Sequence, residues 1–338
     1  MGFSLSNAQA NQLIEKLNEQ YDIYAPMLFA GTGRFSETDV IRYGKISRVE
    51  DIVFDRKSEY SFKEAILPIN NTLFFYTQDH VNVPRIPDKD ILVLLRSCDV
   101  HALARLDQIY LNNKFSDSYY AQLREKLHLV LMGCKASFEN CFCVSMGTNT
   151  CEGYDAYITR DDDGVYVDAA GEAETLLRGL GGRECVLPVE YVVNNEVSVN
   201  IPANLNAKIA KSHVWDEYDK RCIGCGRCNF VCPTCTCFTS QDIFYSDNAE
   251  AGERRRVWAS CMVDGYTDIA GNMSFRNKQG ERMRFKVMHK VYDFKQRFGY
   301  QMCVGCGRCD DVCPEYISFS TCVNKLESAM EEVNANEK

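Results

Sequence analysis

The feature that most constrains this chain is a cysteine pattern that occurs twice. Residues 222–233 read CIGCGRCNFVCP and residues 303–314 read CVGCGRCDDVCP. Each copy has the spacing C-x2-C-x2-C-x3-C-P, in which one tight loop brings three thiolates to a metal cluster while the fourth cysteine turns toward the other copy. The fold therefore has to bring two distant segments of the chain together.

The repeated pattern predicts two [4Fe–4S] clusters with crossed ligands. The loop of each copy supplies three thiolates to one cluster, and the last cysteine of the other copy supplies the fourth. Because the copies exchange ligands, the two clusters are expected to lie close enough to exchange electrons. We assign Cys222, Cys225, Cys228 and Cys313 to the first cluster and Cys303, Cys306, Cys309 and Cys232 to the second.

Zinc is the main alternative metal, because C-x2-C pairs also bind structural zinc. The complete spacing, closed by proline in both copies, favours iron–sulfur clusters. A zinc-binding structural or interaction protein is thus the alternative from another class. A brown preparation that gives an EPR signal on reduction would exclude it.

The cysteine content also restricts the class of protein. The chain has 18 cysteines in 338 residues and a formal net charge of −9. Secreted disulfide-rich proteins are usually much shorter and carry a signal peptide. The N-terminus of this chain is polar and lacks the apolar core of a signal peptide. The acidic charge disfavours nucleic-acid binding, and no apolar run is long enough to span a membrane. We expect a cytoplasmic cofactor carrier with no nucleic-acid or membrane partner.

The rest of the chain predicts a mixed fold. Residues 91–95 and 127–132 are apolar runs of the buried-strand type, separated by helical spacing over residues 98–110. This order predicts a parallel βαβ unit. The predicted class is α+β or α/β, with an N-terminal mixed α/β domain that contains the βαβ unit, followed by a two-cluster ferredoxin-like module. The predicted boundaries are 1–90 for an N-terminal α/β segment, 91–210 for the α/β domain, and 211–330 for the ferredoxin-like domain with a large insert at 240–300.

A third group of cysteines follows the two predicted strands. Carboxyl ends of neighbouring parallel strands meet at one edge of a sheet, where ligands bind. We therefore expect a third [4Fe–4S] cluster there, with Asp99 or His101 as an alternative ligand or as a group beside it. The simpler interpretation is that these cysteines are small buried apolar residues. The proposed ligands of the third cluster are Cys98, Cys134, Cys141 and Cys143.

The other cysteines have less definite roles. Cys235 and Cys237 either lie beside the cluster ligands or replace one of the four proposed for the third cluster. Cys261 is among the remaining cysteines, which are interpreted as structural.

The sequence shows no site for a flavin, a nicotinamide or a substrate. No G-x-G-x-x-G follows a predicted strand, and no P-loop is present. We assign no catalytic residue and expect a relay subunit that receives electrons from a flavoprotein and passes them to a catalytic subunit. A free-standing redox enzyme with its own pocket at the sheet edge is a further alternative, which requires activity without partners.

Four segments together resemble a known family. They read LLRSCDVHALARLD (94–107), ENCFCVSMGT (139–148), CIGCGRCNFVCPTCTCF (222–238) and MHKVYDFKQRFGYQMCVGCGRC (288–309). The chain resembles the 4Fe–4S dicluster subunit of anaerobic sulfite reductase, and it is also similar to the iron–sulfur beta subunit of cytosolic sulfhydrogenases. The resemblance covers most of the chain from about residue 90.

The resemblance implies a place in a complex. The dicluster subunit of a sulfite reductase takes electrons from a flavin-containing subunit that oxidises NADH. It passes them to a sirohaem subunit that reduces sulfite to sulfide. A hydrogenase beta subunit uses the same relay in another complex. Sirohaem in a co-purifying subunit would favour the first assignment, and nickel the second.

Overall fold

The computed structural model describes residues 1–34, 37–245, 247–271 and 273–336. The chain divides into two compact units. The first contains Met1–Ile66, Ile86–Glu196 and Val304–Cys306, and the second contains Leu67–Arg85, Val197–Cys303 and Gly307–Lys338. Each unit is therefore assembled from segments that are distant in sequence.

The described residues form the following regular elements. The strands are β1 (Gly2–Leu5), β2 (Tyr21–Phe29), β3 (Val40–Lys45), β4 (Asn70–Tyr76), β5 (Val81–Asn82), β6 (Asp90–Leu95), β7 (Leu127–Met132), β8 (Ala156–Arg160), β9 (Val165–Ala169), β10 (Arg183–Cys185), β11 (Phe238–Phe244), β12 (Gly252–Trp258), β13 (Asp268–Ile269) and β14 (Met273–Ser274). The helices are α1 (Asn7–Gln20), α2 (Lys63–Ile66), α3 (Ser97–Tyr110), α4 (Ser118–Glu125), α5 (Glu172–Gly179), α6 (Asp216–Arg221), α7 (Arg227–Phe230), α8 (Gln279–Met288), α9 (Phe294–Phe298), α10 (Arg308–Asp311), α11 (Phe319–Asn324) and α12 (Leu326–Ala335). Short 3-10 turns cover Val49–Asp51, Ala207–Lys211 and His213–Trp215.

The first unit is built on an eight-stranded sheet with the order β10-β1-β9-β8-β7-β6-β2-β3. Strands β2, β6, β7 and β8 pair in parallel, and the other pairs are antiparallel. The order strand, helix, strand expected for residues 91–132 is present, because β6 pairs with β7 and α3 lies between them in the chain. The fold class is therefore a mixed α/β fold whose sheet contains both kinds of pairing.

Helix α1 is determined by local chemistry and by one apolar stripe. The Ser6 side chain accepts from the Gln9 backbone N–H, and the Gln9 side chain accepts from the Ser6 N–H, which is a capping box. Ala10, Leu13 and Ile14 are buried, and they join the core formed with alternate residues of the sheet. On the sheet, α3 packs against β6 and β7, so the cysteines that follow these strands lie at one edge.

The second unit combines an antiparallel sheet with short helices. The sheet has the order β11-β12-β4-β5, and β11 and β12 form a hairpin inside the predicted insert. The guanidinium of Arg254 donates to both carboxylate oxygens of Asp242 across this hairpin, at 2.7 and 2.8 Å. Helix α6 packs against α8, and α7 packs against α10.

One helical segment connects the insert to the second cysteine copy. Helix α8 continues through a π-helical turn, His289–Asp293, into α9 and ends at Gly299 in the left-handed conformation. Such π turns are uncommon inside helices and often mark functional positions. In this turn the Lys290 carbonyl accepts from the backbone N–H groups of Met302 and Cys303, at 2.8 and 3.2 Å. The turn therefore positions the start of the second loop.

Within the ranges given above, no helix combines the length and the apolar character needed to cross a membrane.

Candidate iron–sulfur centres

The first cysteine loop follows directly from the end of α6. Cys222 caps that helix, with its N–H donating to the Tyr218 carbonyl. Gly226 has φ +75° and precedes α7, and a Cβ at this position would lie 2.6 Å from Val263 Cγ2. A glycine is needed here for both its positive φ and the close approach. The loop thus wraps back on itself, which turns its three thiols toward a common space.

Five cysteines, drawn from both copies, line one cavity of the second unit. Cys222, Cys225 and Cys228 come from the first copy and Cys313 from the second. Cys309, assigned from sequence to the second cluster, lines the same cavity, so the two sets adjoin. Apolar side chains complete the wall, among them Met262, Met283, Ile317 and Phe319.

Two buried lysines lie among the cysteines of the second unit. Lys286 is 6% exposed and Lys290 is 4% exposed. Burial lowers the pKa of the Lys286 ammonium, but the thiols of Cys228, Cys309 and Cys235 outweigh burial and raise this pKa well above its ordinary value.

Lys290 has an equivalent environment one helical turn later. Burial lowers the pKa of its ammonium, and the thiols of Cys232, Cys235 and Cys303 reverse the effect, so that this pKa is raised. Its Nζ also donates to Thr234 Oγ1 at 2.7 Å. Two buried positive charges require negative partners, and a cluster held by four thiolates is an anion. The donor set and the buried charge therefore both fit iron–sulfur clusters.

The second copy repeats the local structure of the first. Gly307 is left-handed and precedes α10, as Gly226 precedes α7. Cys232, from the first copy, and Cys303 both lie beside the Lys290 ammonium. Cys306, with the rest of Val304–Cys306, belongs to the first unit.

Three cysteines gather in the first unit. The neighbours of Cys134 include Cys141, and those of Cys143 include both Cys141 and Cys134. Burial, followed by the Cys141 thiol, raises the pKa of Cys143 to about 11. The three thiols therefore form one group beyond the end of β7.

The other residues predicted for this group lie in the first two turns of α3. Cys98 lies in the first turn of α3, just beyond the end of β6. Asp99 is among the charged neighbours of Cys134. The His101 Nε2 lies 2.8 Å from the Thr150 carbonyl instead, and burial lowers the pKa of this imidazole.

Backbone contacts connect this group to the segment 304–306. The Phe142 N–H donates to the Gly305 carbonyl at 2.8 Å, and Thr148 Oγ1 donates to the Val304 carbonyl at 2.6 Å. The Cys141 thiol donates to the Cys306 carbonyl at 3.5 Å. Cys306 is therefore next to the group formed by Cys134, Cys141 and Cys143.

Lys57 strengthens the same connection. Its Nζ donates to the carbonyls of Glu139 and Cys306, at 2.8 and 3.1 Å, and lies 3.7 Å from Cys141 Sγ.

In the part of the chain that the structure describes, no group of three or more His, Cys, Asp or Glu side chains is arranged to hold a single metal ion.

Replacing Gly305 with alanine is expected to destabilise the protein more than replacing Gly147. Both glycines have a positive φ, of +67° and +64°, but a Cβ at Gly305 would lie 2.6 Å from the Phe142 carbonyl whereas open space surrounds Gly147. Gly147→Ala should cost the left-handed strain alone, about 1–2 kcal/mol. Urea unfolding measures the free energy of unfolding of both variants. Equal decreases would contradict a close approach of the Gly305 position to the Phe142 carbonyl.

Sequence reasoning did not connect three further cysteines. Cys235, Cys237 and Cys261 line one cavity in the second unit together with His289 and Lys290. The hairpin indicates that two of them lie close together, because Cys237 directly precedes β11 and Cys261 closely follows β12. The two buried lysines were a second signal, since their spacing of four residues places them on one helix face.

Comparison with known proteins supports an iron–sulfur protein. A family model described as "4Fe-4S dicluster domain" matches residues 221–317, which contain both cysteine copies. The chain is 27% identical over 342 residues to sulfhydrogenase 2 subunit beta of Pyrococcus furiosus, covering 94% of this chain and 96% of that protein. No solved structure matches the chain. The predicted similarity to sulfhydrogenase beta subunits is thereby confirmed.

Proposed function

We propose that this chain is the electron-transfer subunit of an oxidoreductase complex and acts through [4Fe–4S] clusters. The observation that carries the proposal is the cavity lined by Cys222, Cys225, Cys228 and Cys313, because its fourth thiol comes from the distant copy. The crossed spacing requires this arrangement and a pair of independent zinc knuckles does not. When bound, such clusters supply reversible one-electron transfer.

The chain's own residues provide binding and charge balance. The first cluster is proposed on Cys222, Cys225, Cys228 and Cys313, and the second on Cys303, Cys306, Cys309 and Cys232. Lys286 and Lys290 neutralise part of the negative charge of the two sets, since each ammonium lies beside thiols of the ligand loops. Apolar side chains such as Met262 and Met283 exclude water from the first set.

A third cluster is proposed in the first unit. Cys134, Cys141 and Cys143 are mutual neighbours, and Cys98 lies in the first turn of α3, just beyond the adjacent parallel strand β6. The carbonyl of Cys306 accepts from the Cys141 thiol within the same unit. The proposed role of the three clusters is that of successive electron carriers.

We consider two kinds of complex in which this electron relay acts. The resemblance to the dicluster protein of anaerobic sulfite reductase favours a relay from an NADH-oxidising flavoprotein to a sirohaem subunit that reduces sulfite. The similarity along most of the chain to the beta subunit of a sulfhydrogenase favours a hydrogenase complex instead. In either setting we propose a cytoplasmic subunit that is not catalytic alone.

Anaerobic purification with its native partners tests the proposal. A brown protein is expected, with about eight iron atoms per chain for two clusters or about twelve for three, and with an EPR signal on reduction. Sirohaem in a partner subunit would identify the sulfite reductase setting, and nickel the hydrogenase setting. A folded, colourless, iron-free chain, or sulfite reduction with NADH by the isolated chain, would contradict the relay.

A further inference from the structure

The hairpin of the second unit brings two thiols together beside the ligand loops. Phe238 at the start of β11 pairs with Trp258 at the end of β12, and the Ala259 N–H donates to the Cys237 carbonyl at 2.9 Å. The chain then returns so that Cys237 and Cys261 are neighbours and line the same cavity. Neither residue belongs to the ligand sets proposed above.

The environment of the pair favours one thiolate and one thiol. The neighbouring Cys261 thiol, together with the Tyr266 hydroxyl and the Lys290 charge, lowers the pKa of Cys237 to about 6. The same contact with Cys237 raises the pKa of Cys261. A thiolate beside a thiol is the state from which a disulfide forms most readily.

The pair is open to a cavity and is connected to a ligand loop. The cavity has a volume of about 370 Å³ and is also lined by Cys235, Tyr266 and His289. Asn229, which is 1% exposed, donates from Nδ2 to Cys261 Sγ at 3.1 Å. Its Oδ1 lies 3.9 Å from Cys228 Sγ. One buried side chain therefore bridges the pair and a proposed cluster ligand.

We propose that Cys237 and Cys261 form a redox-active pair that exchanges electrons with the iron–sulfur carriers of this chain. This inference rests on the proposed function. On oxidation the Cys237 thiolate and the Cys261 thiol together release two electrons and one proton, and one S–S bond forms. The electrons pass one each to two oxidised iron–sulfur carriers, and reduction reverses every step. The pair thus links one-electron carriers to a two-electron store.

The test measures the state of both thiols in the anaerobic holoprotein at a series of poised potentials. Samples are quenched with acid, alkylated and analysed by peptide mass spectrometry. The peptides of Cys237 and Cys261 are expected to be disulfide-linked at high potential and alkylated at low potential. The ratio of the two forms should change tenfold for about every 30 mV, as for a two-electron couple, rather than for about every 59 mV.

Three variants make the result specific. Cys237→Ser and Cys261→Ser should each abolish the two-electron transition and retain the wild-type iron content. Cys185→Ser removes a free cysteine in the first unit and should leave both the transition and the iron unchanged. Loss of about four iron atoms per chain in either of the first two variants would instead identify a cluster ligand and overturn the inference.

Iron, acid-labile sulfide and EPR are measured on the same samples, so the two proposals fail in different ways. Normal iron with two alkylated thiols at every potential overturns the redox pair alone. Absence of iron from the wild-type protein contradicts the proposed function, and with it the exchange between the pair and the carriers.

Discussion

Cys313→Ser is expected to remove the first cluster and spare the second. Cys313 lines the cavity formed by the loop at 222–228, although it belongs to the other copy in sequence. Serine is a weak ligand for iron, so the variant should lose about four iron atoms per chain. The loss should appear in the EPR signal of one cluster, measured together with iron and acid-labile sulfide on the anaerobically purified protein.

Cys232→Ser is the matched variant, because it removes the corresponding cysteine of the first copy. It should lose the cluster held by the loop at 303–309, since Cys232 and Cys303 lie around the same ammonium of Lys290. Each variant should therefore retain the EPR signal of the cluster that the other variant loses. If each variant lost the cluster of its own loop, the crossed assignment would be wrong. Cys185→Ser, in the first unit, controls for nonspecific loss of iron.

Lys286→Met and Lys290→Met should each make a cluster harder to reduce. A buried ammonium stabilises the more negative, reduced cluster, so its removal lowers the reduction potential. A unit charge about 7 Å away contributes roughly 2 kcal/mol at an effective dielectric constant of about 20, which corresponds to a decrease of roughly 50–100 mV for one electron. Methionine keeps most of the side-chain volume, so that the charge is the main change.

Lys290 should act mainly on the second cluster, whereas Lys286 should act on both, because Cys309 is a proposed ligand of the second cluster and Cys228 of the first. Lys286 lies beside Cys228 and Cys309, whereas Lys290 lies beside Cys232 and Cys303. A potentiometric EPR titration should therefore show a lower potential of the second cluster alone for Lys290→Met, and a lower potential of the first cluster only for Lys286→Met. Lys295→Met, at an exposed position of α9, is the matched control. Potentials equal to those of the control would contradict a role of the buried charges.

The amino-acid sequence predicts local secondary structure in this chain. The apolar runs at 91–95 and 127–132 became the parallel pair β6 and β7, because a buried strand needs uninterrupted apolar residues whatever surrounds it. The helical segment that leads to the second cysteine copy begins at Gln279 and includes a π turn. A π turn depends on contacts with Met302 and Cys303, which no local pattern encodes.

The sequence by itself determined the chemistry of this protein, because two copies of one cysteine spacing specify the number, type and order of sulfur donors. The tertiary structure alone decided which other groups face those donors. It placed Lys286 and Lys290 among them, brought Cys237 to Cys261, and assigned residues 304–306 to the first unit. The physical reason is that a ligand spacing is a local property of the backbone, whereas buried charge and thiol contact arise only when distant segments pack together.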